Sequence, residues 1–83
     1  MTHSYTPKGV CSRKMEFDLE DGVIRSVRVE GGCNGNLKGI CSLVEGMRAE
    51  DAIARMRGIR CGGKPTSCPD QMAKGLEEAL RNE

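Results

Sequence analysis

Only two aromatic side chains, Tyr5 and Phe17, are available to this chain of 83 residues. That scarcity narrows what the chain can fold into. A chain of this length buries only about 60–65% of the surface that its unfolded form exposes. With no Trp, its core has to come from Val, Ile, Leu, Met and Cys. Near 80 residues such a core rarely supplies more than roughly 3–5 kcal/mol net, and small domains often add a staple. One domain is expected, and the five cysteines are the obvious staples.

The charge balance excludes several function classes. Thirteen Lys and Arg stand against twelve Asp and Glu, a net charge of +1. A nucleic-acid module would show a marked basic excess on one face, and two aromatics cannot build a base-stacking platform. DNA is therefore not an expected partner. The longest uncharged runs are far shorter than the ~20 residues of a membrane span. The opening residues lack the apolar stretch of a signal peptide, so a cytoplasmic location with reduced thiols is expected. An odd number of cysteines in that setting points to metal or redox chemistry before a disulfide framework.

Hydrophobic patterning predicts an α+β domain: a β-hairpin followed by three helices packed on one of its faces. In residues 12–20, Met15, Phe17 and Leu19 alternate with Glu16, Asp18 and Glu20, the signature of a half-buried strand. Asp21-Gly22 supplies the positive φ angles of a tight turn. Residues 23–29 form the second strand, with Arg25 and Arg28 placed to pair with the acids of the first. Residues 3–10 are able to add a third strand. From Asn36 to about Glu45, the residues Leu37, Ile40, Cys41 and Val44 form a helical stripe that Gly46 ends. A second helix is predicted over about 49–57, with Ala52, Ile53 and Met56 inward and Gly58 at its end. Pro69 suits the first position of a last helix, about 69–82, with Cys68 as its N-cap and Met72, Leu76, Ala79 and Leu80 inward. Glu77 and Arg81 stand four residues apart on its outer side.

Four cysteines fall at the ends of these elements. Cys11 opens the first strand, and Cys33 lies in the glycine-rich bend before the first helix. Cys61 sits in a loop beside Arg57, Arg60 and Lys64, and Cys68 stands at the start of the last helix. A helix N-terminus favours a thiolate, which is the form that binds metal. Cys11, Cys33, Cys61 and Cys68 are thus candidate ligands of one Cys₄ site for Zn²⁺ or an iron–sulfur centre. The gaps of 21, 27 and 6 intervening residues are not those of a zinc finger. Cys41 belongs to an apolar stripe and is expected in the core.

Other residues carry weaker signals. His3 stands alone near a terminus, and Asp70 is expected to cap its own helix before serving as acid, base or ligand. The run from Gly31 to Lys38 has glycines ahead of a helix, as phosphate loops do, but matches neither standard phosphate motif. Arg55, Arg57, Arg60 and Lys64 form a basic arc, either a solvated face or a receptor for an anionic ligand or acidic partner. There is no Ser/His/Asp set, so catalysis by this chain alone is not expected.

The string Thr66-Ser67-Cys68-Pro69-Asp70, with Gly9-Val10-Cys11-Ser12, Gly31-Gly32-Cys33-Asn34-Gly35-Asn36 and Cys61-Gly62, resembles the TSCPD-domain family in its short, four-cysteine form. The resemblance covers nearly the whole chain. It implies that the family's four cysteines are Cys11, Cys33, Cys61 and Cys68. It also implies an association with ribonucleotide reduction, because the domain is found at the C-terminus of cobalamin-dependent ribonucleotide reductases. The expected partners are then a ribonucleotide reductase or another redox protein, or a nucleotide ligand. An alternative implied role is a thiol-redox or nucleotide-binding accessory module of a ribonucleoside-diphosphate reductase, with Cys61 and Cys68 as a reversible pair. The layout is also loosely similar to iron–sulfur scaffold proteins of the IscU/NifU kind, although Ser12 and Arg13 stand where those carry a carboxylate. An exposed hairpin edge would allow a homodimer.

Overall fold

The computed structural model describes residues 2–10, 12–31, 34–60 and 62–82. Three antiparallel strands, β1 (Thr2–Tyr5), β2 (Ser12–Glu20) and β3 (Val23–Gly31), form one sheet in the order β1-β2-β3. The helices α1 (Asn34–Val44), α2 (Ala49–Met56) and α3 (Cys68–Arg81) follow. α3 covers β2 and β1, α1 covers β3, and α2 packs on α3. The α+β architecture is the one the patterning predicts, and β1 supplies the third strand.

The hairpin turn forms because Asp21 and Gly22 accept φ of 52° and 76°, the left-handed conformation that a two-residue turn demands. β2 and β3 then pair from Glu20↔Val23 to Ser12↔Gly31, with two irregularities. Arg25 is an extra residue between the pairs Leu19↔Ile24 and Asp18↔Ser26, and Arg13 is extra between Ser12↔Gly31 and Lys14↔Glu30. Each bulge shifts the alternation by one place. Ile24 and Val27 therefore share the covered face although they are three residues apart, and so do Ser12 and Met15. The outer face is charged: Arg25 Nε lies 3.0 Å from Glu20 Oε2, Lys14 Nζ lies 3.8 Å from Glu16, and Arg28 stands opposite Glu16. Such exposed pairs contribute little each.

Met15, Phe17, Leu19, Ile24, Met72 and Leu76 form the centre of the core. α3 approaches the sheet closely because Gly75 has no side chain. A Cβ there would stand 2.6 Å from Phe17 Cε2 and 2.9 Å from Tyr5 Cγ. Gly46 and Gly58, both with φ of 88°, follow the first two helices as expected. The segment after α1 also closes part of the β3 edge, through Gly46 N–H to Ile24 O (2.7 Å) and Ile24 N–H to Met47 O (2.8 Å).

Three expectations change. Cys41 is half-buried at the margin of the core rather than inside it, because the α1 stripe faces the edge strand β3, where a groove stays open beside it. The N-cap of α3 is Ser67, not Cys68, since a serine oxygen accepts a helix N–H and a cysteine sulfur does so poorly. Glu77 pairs with Arg57 across the α2–α3 contact, Nη1 to Oε2 at 3.0 Å, instead of with Arg81.

Candidate metal centre

The segment Thr66–Gln71 is a hydrogen-bonded hub. Ser67 Oγ accepts the Asp70 N–H (3.2 Å) and donates to Ile59 O (2.6 Å), fixing the loop to the start of α3. Asp70 is 3% exposed. Its carboxylate accepts the Gly58 N–H at 2.7 Å and the Thr66 hydroxyl, and Lys74 Nζ lies 3.5 Å away. The Thr66 and Gly58 hydrogen bonds, helped by Lys74, outweigh burial and hold this carboxyl below its ordinary pKa. Gln71 Nε2 donates to Thr66 Oγ1 (2.9 Å), and its Oε1 accepts from Tyr5 Oη (3.0 Å) and the Lys8 N–H (3.0 Å). Burial, then Glu78 and Asp70, push the Tyr5 phenol up, which keeps it protonated as that donor.

These bonds assign Asp70 a clamping role. Its oxygens go to the Gly58 loop and to Thr66, not to the N–H groups of its own helix, as the sequence reading expected. Four polar residues of the hub are consumed in holding the N-terminus of α3 against β1 and the 58–59 loop. Cys68, in the same string, takes no part in these bonds. Its sulfur is half-buried and lies 3.5 Å from Ser12 Oγ.

Ser12 is 4% exposed and faces Cys68 only because the Arg13 bulge turns it inward. The sequence reading missed Ser12, Thr66 and Gln71. Ser67-x-x-Asp70 has the spacing of a capping box and was a usable signal; nothing in the alternation marked Ser12.

Cys11, Cys33 and Cys61 lie outside the described residues, and among the described residues no group of three His, Cys, Asp or Glu converges as a metal site. The described neighbours of the four cysteines do converge. Ser12, next to Cys11, touches Cys68 and pairs with Gly31, two residues before Cys33. Ile59, two residues before Cys61, is bonded to Ser67.

Cys41 is apart from this cluster. It lines the groove between β3 and α1 with Lys38 and Glu45. Burial first, then Glu45, raise its thiol pKa despite an opposing backbone hydrogen bond. His3 lies in β1, opposite Phe17. Of the glycine-rich run, Gly31 ends β3 and α1 begins at Asn34, with no acidic residue in its first turn. In the basic arc Arg57 is engaged by Glu77, while Arg55, Arg60 and Lys64 are exposed. Among the described residues no helix is long and apolar enough to cross a membrane.

No curated protein and no solved structure matches the chain. The family model of the TSCPD domain matches residues 1–80, and the hub just described lies at the string that resembles it. The chain belongs to the TSCPD-domain family.

Proposed function

We propose that this domain is a small metal-binding module in which Cys11, Cys33, Cys61 and Cys68 hold Zn²⁺ or an iron–sulfur centre. It would serve ribonucleotide reduction or related redox metabolism, with a ribonucleotide reductase or another redox protein as its partner. The observation that carries the reading is the convergence of the cysteines' neighbours: Ser12 against the Cys68 sulfur at 3.5 Å, Ser12 paired with Gly31, and Ile59 held by Ser67 at 2.6 Å. These contacts support the reading because a shared site would require the residues beside its ligands to be held near one another. Four thiolates are a donor set suited to tetrahedral zinc or to iron–sulfur chemistry.

A centre of this kind would tie the hairpin to the 58–67 loop and to α3, so metal affinity would contribute directly to folding. It answers the shortage of aromatic core noted in the sequence. The buried Ser12 hydroxyl would donate to the Cys68 thiolate and orient it, as outer-shell groups do in metal sites.

Elemental analysis of protein purified without oxygen tests the proposal. One zinc, or iron with acid-labile sulfide, is expected for each chain, together with a fall in melting temperature on chelation. Metal-free protein that melts unchanged with and without chelator refutes it.

A further inference from the structure

The two arginines that bulge out of the β2–β3 ladder are placed differently. Arg25 is tied to Glu20 at 3.0 Å on the outer sheet face. Arg13 is exposed and has no ion pair among the described residues. Its side chain instead folds across the ladder onto Gly31: a Cβ at Gly31 would stand 3.3 Å from Arg13 Nε and 3.4 Å from its Cγ. Gly31 has φ of 80°, which residues with a Cβ rarely adopt, so backbone and space together keep this seat open for the arginine.

The seat adjoins the candidate centre. Arg13 follows Ser12, whose hydroxyl lies 3.5 Å from the Cys68 sulfur. In the chain Arg13 stands two residues after Cys11, and Gly31 stands two residues before Cys33. Other cations around the hub are committed elsewhere: Lys74 Nζ is 3.5 Å from Asp70, and Arg57 pairs with Glu77. Arg60 and Lys64 are exposed, and no contact among the described residues fixes their side chains as Gly31 fixes that of Arg13.

We infer that Arg13 is the charge-balancing residue of the four-cysteine centre, its guanidinium set by the bulge and by Gly31 to offset the negative charge of the thiolates. The inference rests on the metal-binding reading above. Four thiolates outweigh the charge of one Zn²⁺ ion, so a centre of that composition is anionic and gains from a fixed cation nearby. Arginine suits the task because its charge is permanent and its planar fork is rigid. Since Arg13 is exposed, dissolved salt screens the effect.

The test compares the Zn²⁺ affinity of the reduced whole chain, by chelator competition at low ionic strength, for the parent, Arg13→Gln, Arg13→Lys and Arg25→Gln. Arg13→Gln is expected to bind Zn²⁺ about three- to fivefold more weakly. Arg13→Lys should recover most of that loss, and Arg25→Gln should match the parent. In about 1 M salt, where the Debye length is about 3 Å, the gap should close. Co²⁺ in place of Zn²⁺ should give parent and Arg13→Gln the same visible spectrum, because the thiolate set is intact; a merely structural role would change the spectrum and leave the gap indifferent to salt. A parent chain that binds no Zn²⁺ refutes the metal-binding reading and this inference with it. A parent that binds Zn²⁺, with Arg13→Gln binding as tightly, a gap that persists in high salt, an altered Co²⁺ spectrum, no recovery in Arg13→Lys or an equal loss in Arg25→Gln, overturns the role of Arg13 alone.

Discussion

Substituting Gly75 by alanine tests how α3 is seated on the sheet, and with it the position of Cys68. The new Cβ would lie 2.6 Å and 2.9 Å from two Phe17 ring carbons and 2.9 Å from Tyr5 Cγ. Phe17 is fully buried, so its ring has no free space to retreat into. Overpacking of this kind costs about 3 kcal/mol when neither partner yields. Alanine recovers about 1 kcal/mol of helix propensity over glycine, which leaves a net loss of about 2 kcal/mol. For a domain of this size that is a fall of about 8–16 °C in melting temperature. Gly39→Ala is the matched control. It also lies inside a helix, but a Cβ there meets nothing within 4 Å, so only the propensity gain applies. Thermal and urea melts of both variants, in one metal state, should move in opposite directions. A Gly75→Ala protein as stable as the parent would falsify the close approach of α3 to Phe17.

Asp70→Asn should destabilise the fold by about 1–3 kcal/mol, because the Gly58 and Thr66 donors lose a charged acceptor, as urea titration can measure. The Asp70 carboxyl is held below its ordinary pKa, so its contribution is complete above the ordinary carboxylate range and disappears as pH falls through the lowered value. The acid limb of stability against pH should therefore be shallower in Asp70→Asn than in the parent. Ser12→Ala should lower metal affinity about 10- to 100-fold by chelator competition, with Ser12→Thr restoring part of it. Cys68→Ser should lose the metal in elemental analysis and Cys41→Ser should keep it. The Cys41 thiol, raised by burial and Glu45, should alkylate more slowly at pH 7 than a free model thiol.

The hairpin was legible in the sequence because alternation and Asp21-Gly22 are local signals, and the helix stripes and terminal glycines likewise. The bulges were not, since an extra residue in a strand announces itself only through its partner strand. The inward turn of Ser12 toward Cys68 therefore leaves no mark in the alternation of β2. The hub was half legible. Asp70 stood out as a capping candidate, but the destination of its oxygens depends on where residues 58 and 59 travel, which no local pattern encodes. For the cysteines, spacing separated Cys41 from the other four. In the described structure Cys68 meets Ser12 at the hub, while Cys41 lines a different groove.

The bulges also bear on how this chain tolerates changes of length. Arg13 and Arg25 are the residues that interrupt the ladder, so deleting either would leave Ser12 next to Lys14, or Ile24 next to Ser26, in regular alternation with every covered side chain still inward. Deleting any interior residue between the bulges, such as Glu16, would turn part of β2 over and carry either Met15 or Phe17 and Leu19 out to solvent. The hairpin thus holds two places where one codon can be lost without inverting a strand, and both are occupied by arginine.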